Sequence, residues 1–193
     1  MTETVNVYAK MAGEYADLVG DALPDELKEF IAALPSGGRV LDLGCGPGHH
    51  AAHMAKAGLD VLATDATPEM VSLAAHHKGV TAQCAKFDDI PRLGQFHGIW
   101  ASFSLLHATR SDFPRHLADI SSALLPGGLF CAGLKLGEGE GPDRLGRHYS
   151  YYTEAELRDA ILAAGMKPGN VRLGEAKGLA GDVEPWIVIF AHA

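Results

Sequence analysis

A glycine-rich segment around residue 44 carries the first chemistry that the sequence suggests. The apolar run Arg39–Leu43 contains one acid, Asp42, and leads directly into Gly44-Cys45-Gly46-Pro47-Gly48 and a helical stretch over residues 49–57. A glycine turn between a strand and a helix lets the backbone approach a ligand closely, and it presents the free N–H groups of the helix N-terminus. The segment therefore indicates a binding site for a small ligand.

The chemistry of this turn argues against a dinucleotide. The G-x-G-x-x-G pattern requires a third glycine where His49 stands, and that glycine normally packs the helix against the strand. Asp42 adds a carboxylate just before the turn, and Pro47 removes one backbone N–H from a phosphate cradle. We therefore expect a ligand without phosphate groups. S-adenosylmethionine has that character, because its sulfonium and amino groups are cationic.

Asp65 is the second candidate ligand-binding residue. It lies 21 positions after Gly44, at the end of the apolar run 61–64. An acidic residue at this point of related folds accepts hydrogen bonds from the two vicinal hydroxyls of a ribose. The alternative is a turn residue at the end of a strand, without a ligand. We predict the ribose contact.

Four further segments extend this pattern along the chain: residues 8–15 (YAKMAGEY), 64–70 (TDATPEM), 104–107 (SLLH) and 125–128 (LPGG). Together with residues 40–48 (VLDLGCGPG) they resemble the motifs of the class I S-adenosylmethionine-dependent methyltransferases. The resemblance covers nearly the whole chain. It implies a seven-stranded sheet with an antiparallel last strand, and transfer of the sulfonium methyl group to an acceptor.

The same resemblance implies a set of residues around the cofactor. Gly44, Gly46 and the backbone of Cys45 are expected at its methionine part. Many relatives hold the adenine amino group with an acidic residue where Lys86 stands here, so Asp88 or the backbone is expected to make that contact. The full predicted cofactor set is Tyr15, Asp42, Gly44, Cys45, Gly46, Asp65, Ala66, Met70, Phe87, Asp88, Ala101 and Ser102. Tyr8 and Tyr15 are expected to close over the donor or, alternatively, to pack as part of an N-terminal helix.

Histidines are the candidate bases and metal ligands. His49 and His53 have the i, i+4 spacing of a ligand pair, but no third ligand can be named, so we predict no metal. His107 follows the predicted strand Phe96–Ser102 at its carboxyl end, beside the expected pocket. It is the candidate general base, and the alternative is a residue that orients a loop.

Residues 137–152 are predicted to form a lid over the acceptor. They are glycine-rich, then basic and aromatic, and they leave a strand at the ligand end of the sheet. The alternative is a mobile, solvated loop. The predicted substrate-binding residues are Arg144, Arg147, His148, Tyr149 and Tyr151.

Alternating strands and helices predict a doubly wound α/β fold of Rossmann-like type, with a mostly parallel sheet and helices on both faces. A chain of 193 residues favours one domain over residues 1–193, with residues 1–35 as a helical segment over the cofactor site. Pro126-Gly127-Gly128 is expected to separate a helix from a strand over residues 129–134. The last two strands are expected to form a hairpin.

Composition limits the partners. The net charge is −8, which gives no general attraction to nucleic acid or anionic membranes. Three cysteines without C-x-x-C spacing and no long apolar run fit a cytoplasmic protein. We also expect a monomer or homodimer. We expect a methyltransferase acting on a small molecule. A non-catalytic S-adenosylmethionine binder and a nicotinamide-dependent oxidoreductase on the same fold are the alternatives.

Overall fold

A seven-stranded sheet forms the centre of the computed structural model, which describes residues 2–193. Its strand order is β3-β2-β1-β4-β5-β9-β8, and β6 and β7 form a separate two-stranded hairpin. The strands are β1 (Arg39–Leu43), β2 (Asp60–Asp65), β3 (Val80–Cys84), β4 (Phe96–Ser102), β5 (Leu124–Lys135), β6 (Glu140–Pro142), β7 (His148–Ser150), β8 (Lys167–Lys177) and β9 (Val183–His192). The helices are α1 (Thr2–Lys10), α2 (Ala12–Val19), α3 (Asp25–Ala32), α4 (His49–Lys56), α5 (Pro68–Ala74), α6 (Phe113–Ala123) and α7 (Glu154–Ala163).

The direction of the strands follows the predicted doubly wound pattern. β1 pairs in parallel with β2 and β4, while β9 runs antiparallel to both β5 and β8. The order changes direction between β1 and β4, where two neighbouring strands lead into connections on opposite faces. The fold-class prediction and the closing hairpin are confirmed. The carboxyl ends of β1, β2 and β4 therefore meet at one edge of the sheet.

Strand alternation divides the apolar side chains between two faces of the sheet. In β1, Leu41 and Leu43 belong to the cluster that packs on α6 and α7, whereas Val40 belongs to the cluster that packs on α3 and α4. In β9, Ile187 and Val188 divide in the same way. Both faces are covered by helices, so these strands are apolar on both sides, as parallel sheets generally are.

The capping box that the sequence predicts at the start of α7 is present in the structure. The Thr153 hydroxyl accepts from the backbone N–H of Glu156, and the Glu156 carboxylate accepts from the backbone N–H of Thr153. This reciprocal capping box begins α7 where the sequence predicts it. None of the helices in the described residues 2–193 has the length and apolar character needed to cross a membrane.

Two expectations about connections need correction. Pro126-Gly127-Gly128 does not separate a helix from a strand, because β5 begins at Leu124 and continues through these residues. Residues 137–152 do not form one open loop, because β6 and β7 pair through them. A turn at Asp143–Gly146 joins the two strands, since the N–H of Gly146 donates to the carbonyl of Asp143 at 3.0 Å.

Candidate active site

Three adjoining clefts lie at the carboxyl end of the parallel strands. The first cleft has an empty volume, including the part open to solvent, of about 660 Å³. The corresponding volumes of the second and third clefts are about 1170 Å³ and 990 Å³. Tyr15 and Phe103 line all three, so the clefts form one continuous site. Each is large enough for part of a small-molecule ligand.

The glycine turn follows β1 and separates the first cleft from the second. Gly44 has φ +74°, and a Cβ built there would lie 2.3 Å from the Cβ of Ser104. A side chain at position 44 would therefore clash as well as strain the backbone. The backbone N–H groups of Gly44 and Cys45 both donate to the carbonyl of Thr64, which ties the turn to the end of β2.

Asp65 ends β2 and fixes the far side of this turn. Its Oδ2 accepts from the N–H of Gly46 at 3.0 Å, and its Oδ1 accepts from the N–H of Thr67 at 2.8 Å. Burial raises the pKa of this carboxyl above its ordinary value. Each carboxylate oxygen can accept more than one hydrogen bond, so both retain capacity for hydroxyl donors from the first cleft.

Asp42 is the buried acid of β1 and lines the second cleft. It is 2% exposed, and its Oδ2 has no hydrogen-bond partner among the described residues. Burial and, to a smaller extent, the neighbouring Asp65 raise its pKa to about 8. A buried carboxylate without a partner is costly, so the position favours a cationic ligand group that would pair with it.

The remaining residues of the predicted cofactor set divide between the clefts and the surrounding structure. Ala66, Met70, Phe87 and Ser102 line the first cleft together with Lys86, and Cys45 lines the second. The structure does not bring Asp88 or Ala101 into either cleft. Asp88 pairs with Arg115 at 2.7 Å on the surface, because α6 places that guanidinium next to it. Ala101 is wholly buried within the sheet.

His107 lies in the first cleft, but both of its ring nitrogens are engaged. Nδ1 is 2.6 Å from the carbonyl of His148, and Nε2 is 3.0 Å from the Tyr8 hydroxyl. Burial lowers the pKa of His107 to about 4, so the ring is neutral at pH 7. Because a carbonyl can only accept, Nδ1–H donates to it and Nε2 accepts from Tyr8. This geometry favours the orienting role over the general base.

Arg147 is buried within the predicted lid segment. Its side chain is 2% exposed, and Nε and Nη2 donate to Asp143 Oδ2 at 3.0 Å and 2.6 Å. Nη1 donates to the Tyr8 oxygen at 3.0 Å. Tyr8 of α1 therefore joins the β6–β7 hairpin to His107, a contact set that sequence spacing does not predict.

The third cleft receives only part of the predicted substrate set. Arg147 and Tyr149 line it. Arg144 lies outside, because it is exposed and pairs with Asp182 at 3.1 Å. His148 also lies outside, 3.3 Å from Glu140. Tyr151 reaches the cleft indirectly, by donating to Glu184 Oε1 at 3.2 Å.

Sequence reasoning missed Lys135, Glu184 and Trp186, which line the third cleft. Lys135 ends β5 and faces Trp186 in the antiparallel register of β5 and β9. Its ammonium pairs with Glu184. The sequence signal for these residues is the predicted pairing of the last strands. Extending the register of β5 and β9 to the strand ends places Lys135 opposite Trp186.

His49 and His53, the histidines with the spacing of a helical ligand pair, make contacts that connect helices. His49 bonds the carbonyl of Gly20, and His53 lies 3.1 Å from the Asp21 carboxylate. These contacts attach α4 to the connection between α2 and α3. Within residues 2–193, no three His, Cys, Asp or Glu side chains converge as a metal site requires.

Comparisons with known proteins agree with this geometry. Residues 40–128 match the family model described as a methyltransferase domain. YqeM of Bacillus subtilis (strain 168) is 38% identical over 69 residues, which are 35% of this chain and 28% of that protein. The ubiquinone biosynthesis O-methyltransferase of Xanthomonas axonopodis pv. citri (strain 306) is 28% identical over 203 aligned positions, which cover 93% of this chain and 83% of that protein.

A solved structure shares the whole architecture. The 1,6-didemethyltoxoflavin-N1-methyltransferase of Burkholderia thailandensis, crystallised with 1,6-didemethyltoxoflavin and S-adenosylhomocysteine, superposes with a TM-score of 0.78. The identity is 22%, and the superposition covers 99% of this chain and 87% of that one. The family model, the sheet order and the glycine turn with its two acids agree. Residues 40–128 therefore resemble a methyltransferase domain, and the whole chain shares the fold of that methyltransferase.

Proposed function

We propose that this protein transfers the methyl group of S-adenosylmethionine to a small-molecule acceptor held in the third cleft. The observation that carries the proposal is the unpartnered Asp42 oxygen beside the glycine turn, with Asp65 at the other side of the same turn. Two buried acids at this spacing suit a ligand that has a cationic end and a neutral diol. A pyrophosphate fits less well, because the turn has His49 in place of the third glycine of the dinucleotide pattern and Pro47 offers no backbone N–H.

The residues of the first two clefts would bind different parts of the donor. Asp42, in the second cleft, would pair with the cationic methionine part, and the turn at Gly44 and Gly46 lets the ligand approach the backbone. Asp65 would accept from the ribose hydroxyls. Phe87 and Met70 line the first cleft and offer apolar surface to the adenine ring.

When bound, the donor supplies an electrophilic methyl carbon. An acceptor lone pair would form the new bond to it as the carbon–sulfur bond breaks and its electron pair stays on sulfur, and an acceptor that carries a proton would release it to solvent. Such a displacement requires alignment and exclusion of water more than a dedicated base. Tyr15 and Phe103 line the donor and acceptor clefts alike, so they would align the two ligands. His107 would position Tyr8 over the same junction.

The finer predictions about partners follow from charge and from the site. With a net charge of −8 we expect neither nucleic acid nor a membrane surface as partner. We also expect a cytoplasmic monomer or homodimer. Residues 1–35 are proposed to cover the donor, since Tyr8 and Tyr15 line the first cleft.

Calorimetry with S-adenosylhomocysteine, followed by an assay for its release from S-adenosylmethionine, tests this function. We expect binding of S-adenosylhomocysteine, no binding of NADH, and turnover with at least one member of a panel of small acceptors. NADH binding in place of S-adenosylhomocysteine would contradict the donor assignment. Tight donor binding without turnover across the panel would favour a non-catalytic binder.

A further inference from the structure

The third cleft differs in charge from the second, which is assigned to the methionine part of the donor. Its charged lining residues are Lys135, Arg147, Lys177 and one acid, Glu184. The second cleft instead contains Asp42 and Glu26 and lacks lysine and arginine among its described lining residues. A cationic surface is unusual in a chain with 16 basic and 24 acidic residues, so it needs a local explanation.

Not all of this positive charge is available to a ligand. Arg147 is engaged by Asp143 and Tyr8, which leaves it as a fixed wall of the cleft. Lys135 is different. Its ammonium pairs with Glu184 and lies 4.1 Å from the centre of the Tyr149 ring. Glu184 also accepts from Tyr151, so its charge is shared between two donors. An ammonium has three N–H groups, and Lys135 can thus donate to an anion in the cleft.

Aromatic side chains form part of the remaining wall of the third cleft, together with aliphatic ones such as Leu106 and Leu179. Phe103 and Trp186 lie edge to face with their ring centres 6.4 Å apart, and Tyr149 stacks near Tyr151 at 6.2 Å. Phe103, Tyr149 and Trp186 line the cleft, as do Tyr8 and Tyr15. Aromatic walls of this kind bind planar rings by stacking and edge contacts.

From these observations we propose that the acceptor is a planar aromatic acid, whose anionic group is bound by Lys135 and whose ring lies against Phe103 and Trp186. The proposal rests on the methyltransferase function stated above. It names Lys135 as the residue that selects an anion over a neutral or cationic ring. The anionic group is a carboxylate or an ionised ring hydroxyl.

The test uses the full chain saturated with S-adenosylhomocysteine and follows tryptophan emission, corrected for absorption by the added compound. Trp186 lines the second and third clefts, and Trp100 lines the second, which S-adenosylhomocysteine occupies under the proposed function, so emission changes in the saturated protein report on the third cleft. The probes are 4-hydroxybenzoate and quinoline-2-carboxylate. Their controls are 4-hydroxybenzyl alcohol, 4-hydroxybenzylamine and cyclohexanecarboxylate. We expect at least one aromatic acid to bind about tenfold or more tightly than every control.

Variants then assign the selection to Lys135. Lys135→Gln should lower the affinity for the aromatic acid about tenfold and leave that for 4-hydroxybenzyl alcohol unchanged, while Lys135→Arg should retain the preference. Arg144→Gln removes the same charge outside the cleft and is the matched control. Trp186→Phe should abolish the signal without abolishing binding seen by calorimetry.

The outcomes separate this proposal from the one on which it rests. If S-adenosylhomocysteine does not bind, the methyltransferase assignment fails. If it binds but neither aromatic acid is preferred over its neutral and cationic counterparts, the acceptor class is wrong. Equal loss of acid and alcohol binding in Lys135→Gln would likewise overturn the role of Lys135, because it would show a structural effect only.

Discussion

The first and third clefts share Tyr8, Tyr15 and Phe103 but are assembled from different kinds of contact. The first is made largely by two strand ends and the backbone that follows them, and its central hydrogen bond, from Gly46 to Asp65, joins residues 19 positions apart. The third is made by side chains. Its contacts join residues 139 positions apart from Tyr8 to Arg147 and 49 apart from Lys135 to Glu184.

This difference in construction matches the difference in task that we propose. Parallel strand ends hold backbone donors and acids in fixed positions, which suits a ligand that is the same throughout a family. Side chains on a hairpin and on late strands can change without disturbing the sheet, which suits an acceptor that differs between relatives. The contrast predicts that substitutions in the first two clefts change donor binding, whereas substitutions in the third change the acceptor.

Gly44→Ala should produce the largest effect. The added Cβ would lie 2.3 Å from the Ser104 Cβ, so we expect loss of detectable donor binding and about 2–4 kcal/mol of destabilisation. Gly58→Ala is the matched control, because its φ is also positive, at +88°, but nothing lies within 4 Å of the built Cβ. Calorimetry and chemical denaturation of both variants measure the difference. Equal losses of stability and donor affinity in the two variants would show that backbone strain causes the effect, and that the clash with Ser104 does not.

Asp65→Ala should weaken donor binding by about 2–4 kcal/mol, because two ribose hydroxyls and the Gly46 N–H lose a shared charged acceptor. Asp60→Ala, at the exposed start of the same strand, should leave affinity unchanged. Titration with S-adenosylhomocysteine compares the two. A folded Asp65→Ala protein with normal affinity would remove Asp65 from the donor site.

Asp42 should make stability depend on pH in a direction opposite to that of an ordinary ion-paired acid. Its pKa is about 8 in the folded chain and 3.8 ordinarily, so between these values the folded state holds a proton that the unfolded state lacks. Stability contributed by Asp42 therefore falls as pH rises through that window, by at most about 1.4 kcal/mol per pH unit.

Unfolding of the wild type and Asp42→Asn across this pH range measures the effect as the difference between the two curves. The variant should lack the slope. Saturating S-adenosylmethionine should remove it from the wild type as well, because a paired cation keeps Asp42 ionised. Parallel curves for the two proteins without ligand would contradict the raised pKa.

Tyr8→Phe should have the smallest of these effects and should act on the acceptor side. It leaves Arg147 Nη1 and His107 Nε2 without their recorded partner, which costs about 1–2 kcal/mol. We expect a change in acceptor KM or kcat at saturating donor, with donor affinity altered less. Tyr15→Phe is the control, since no hydrogen bond of its hydroxyl is found in the described residues. If Tyr8→Phe lowered only the donor affinity, the contacts of Tyr8 with the hairpin would serve donor binding instead.

Most of the proposed donor site can be predicted from the sequence, with Asp88 and Ala101 as the exceptions. The glycine turn, the capping box of α7 and the alternation of strands and helices depend on signals within a few residues, and the structure bears out each of them. Asp65 falls at the end of β2 for the same reason, since the apolar run that precedes it fixes where the strand ends. Its ribose contact stays a prediction until a ligand is bound.

The contacts of the third cleft and the position of Asp88 depend on how distant elements pack. Arg147 lies in a glycine-rich and basic segment whose composition predicts a lid. It is buried because α1 packs against it and supplies the Tyr8 hydroxyl as a hydrogen-bond partner. Asp88 is acidic at a suitable place in the sequence, yet Arg115 of α6 draws it to the surface. Lys135 meets Glu184 only because β5 and β9 pair in a particular register. Such contacts depend on how distant elements pack, and local propensity and periodicity carry no information about that.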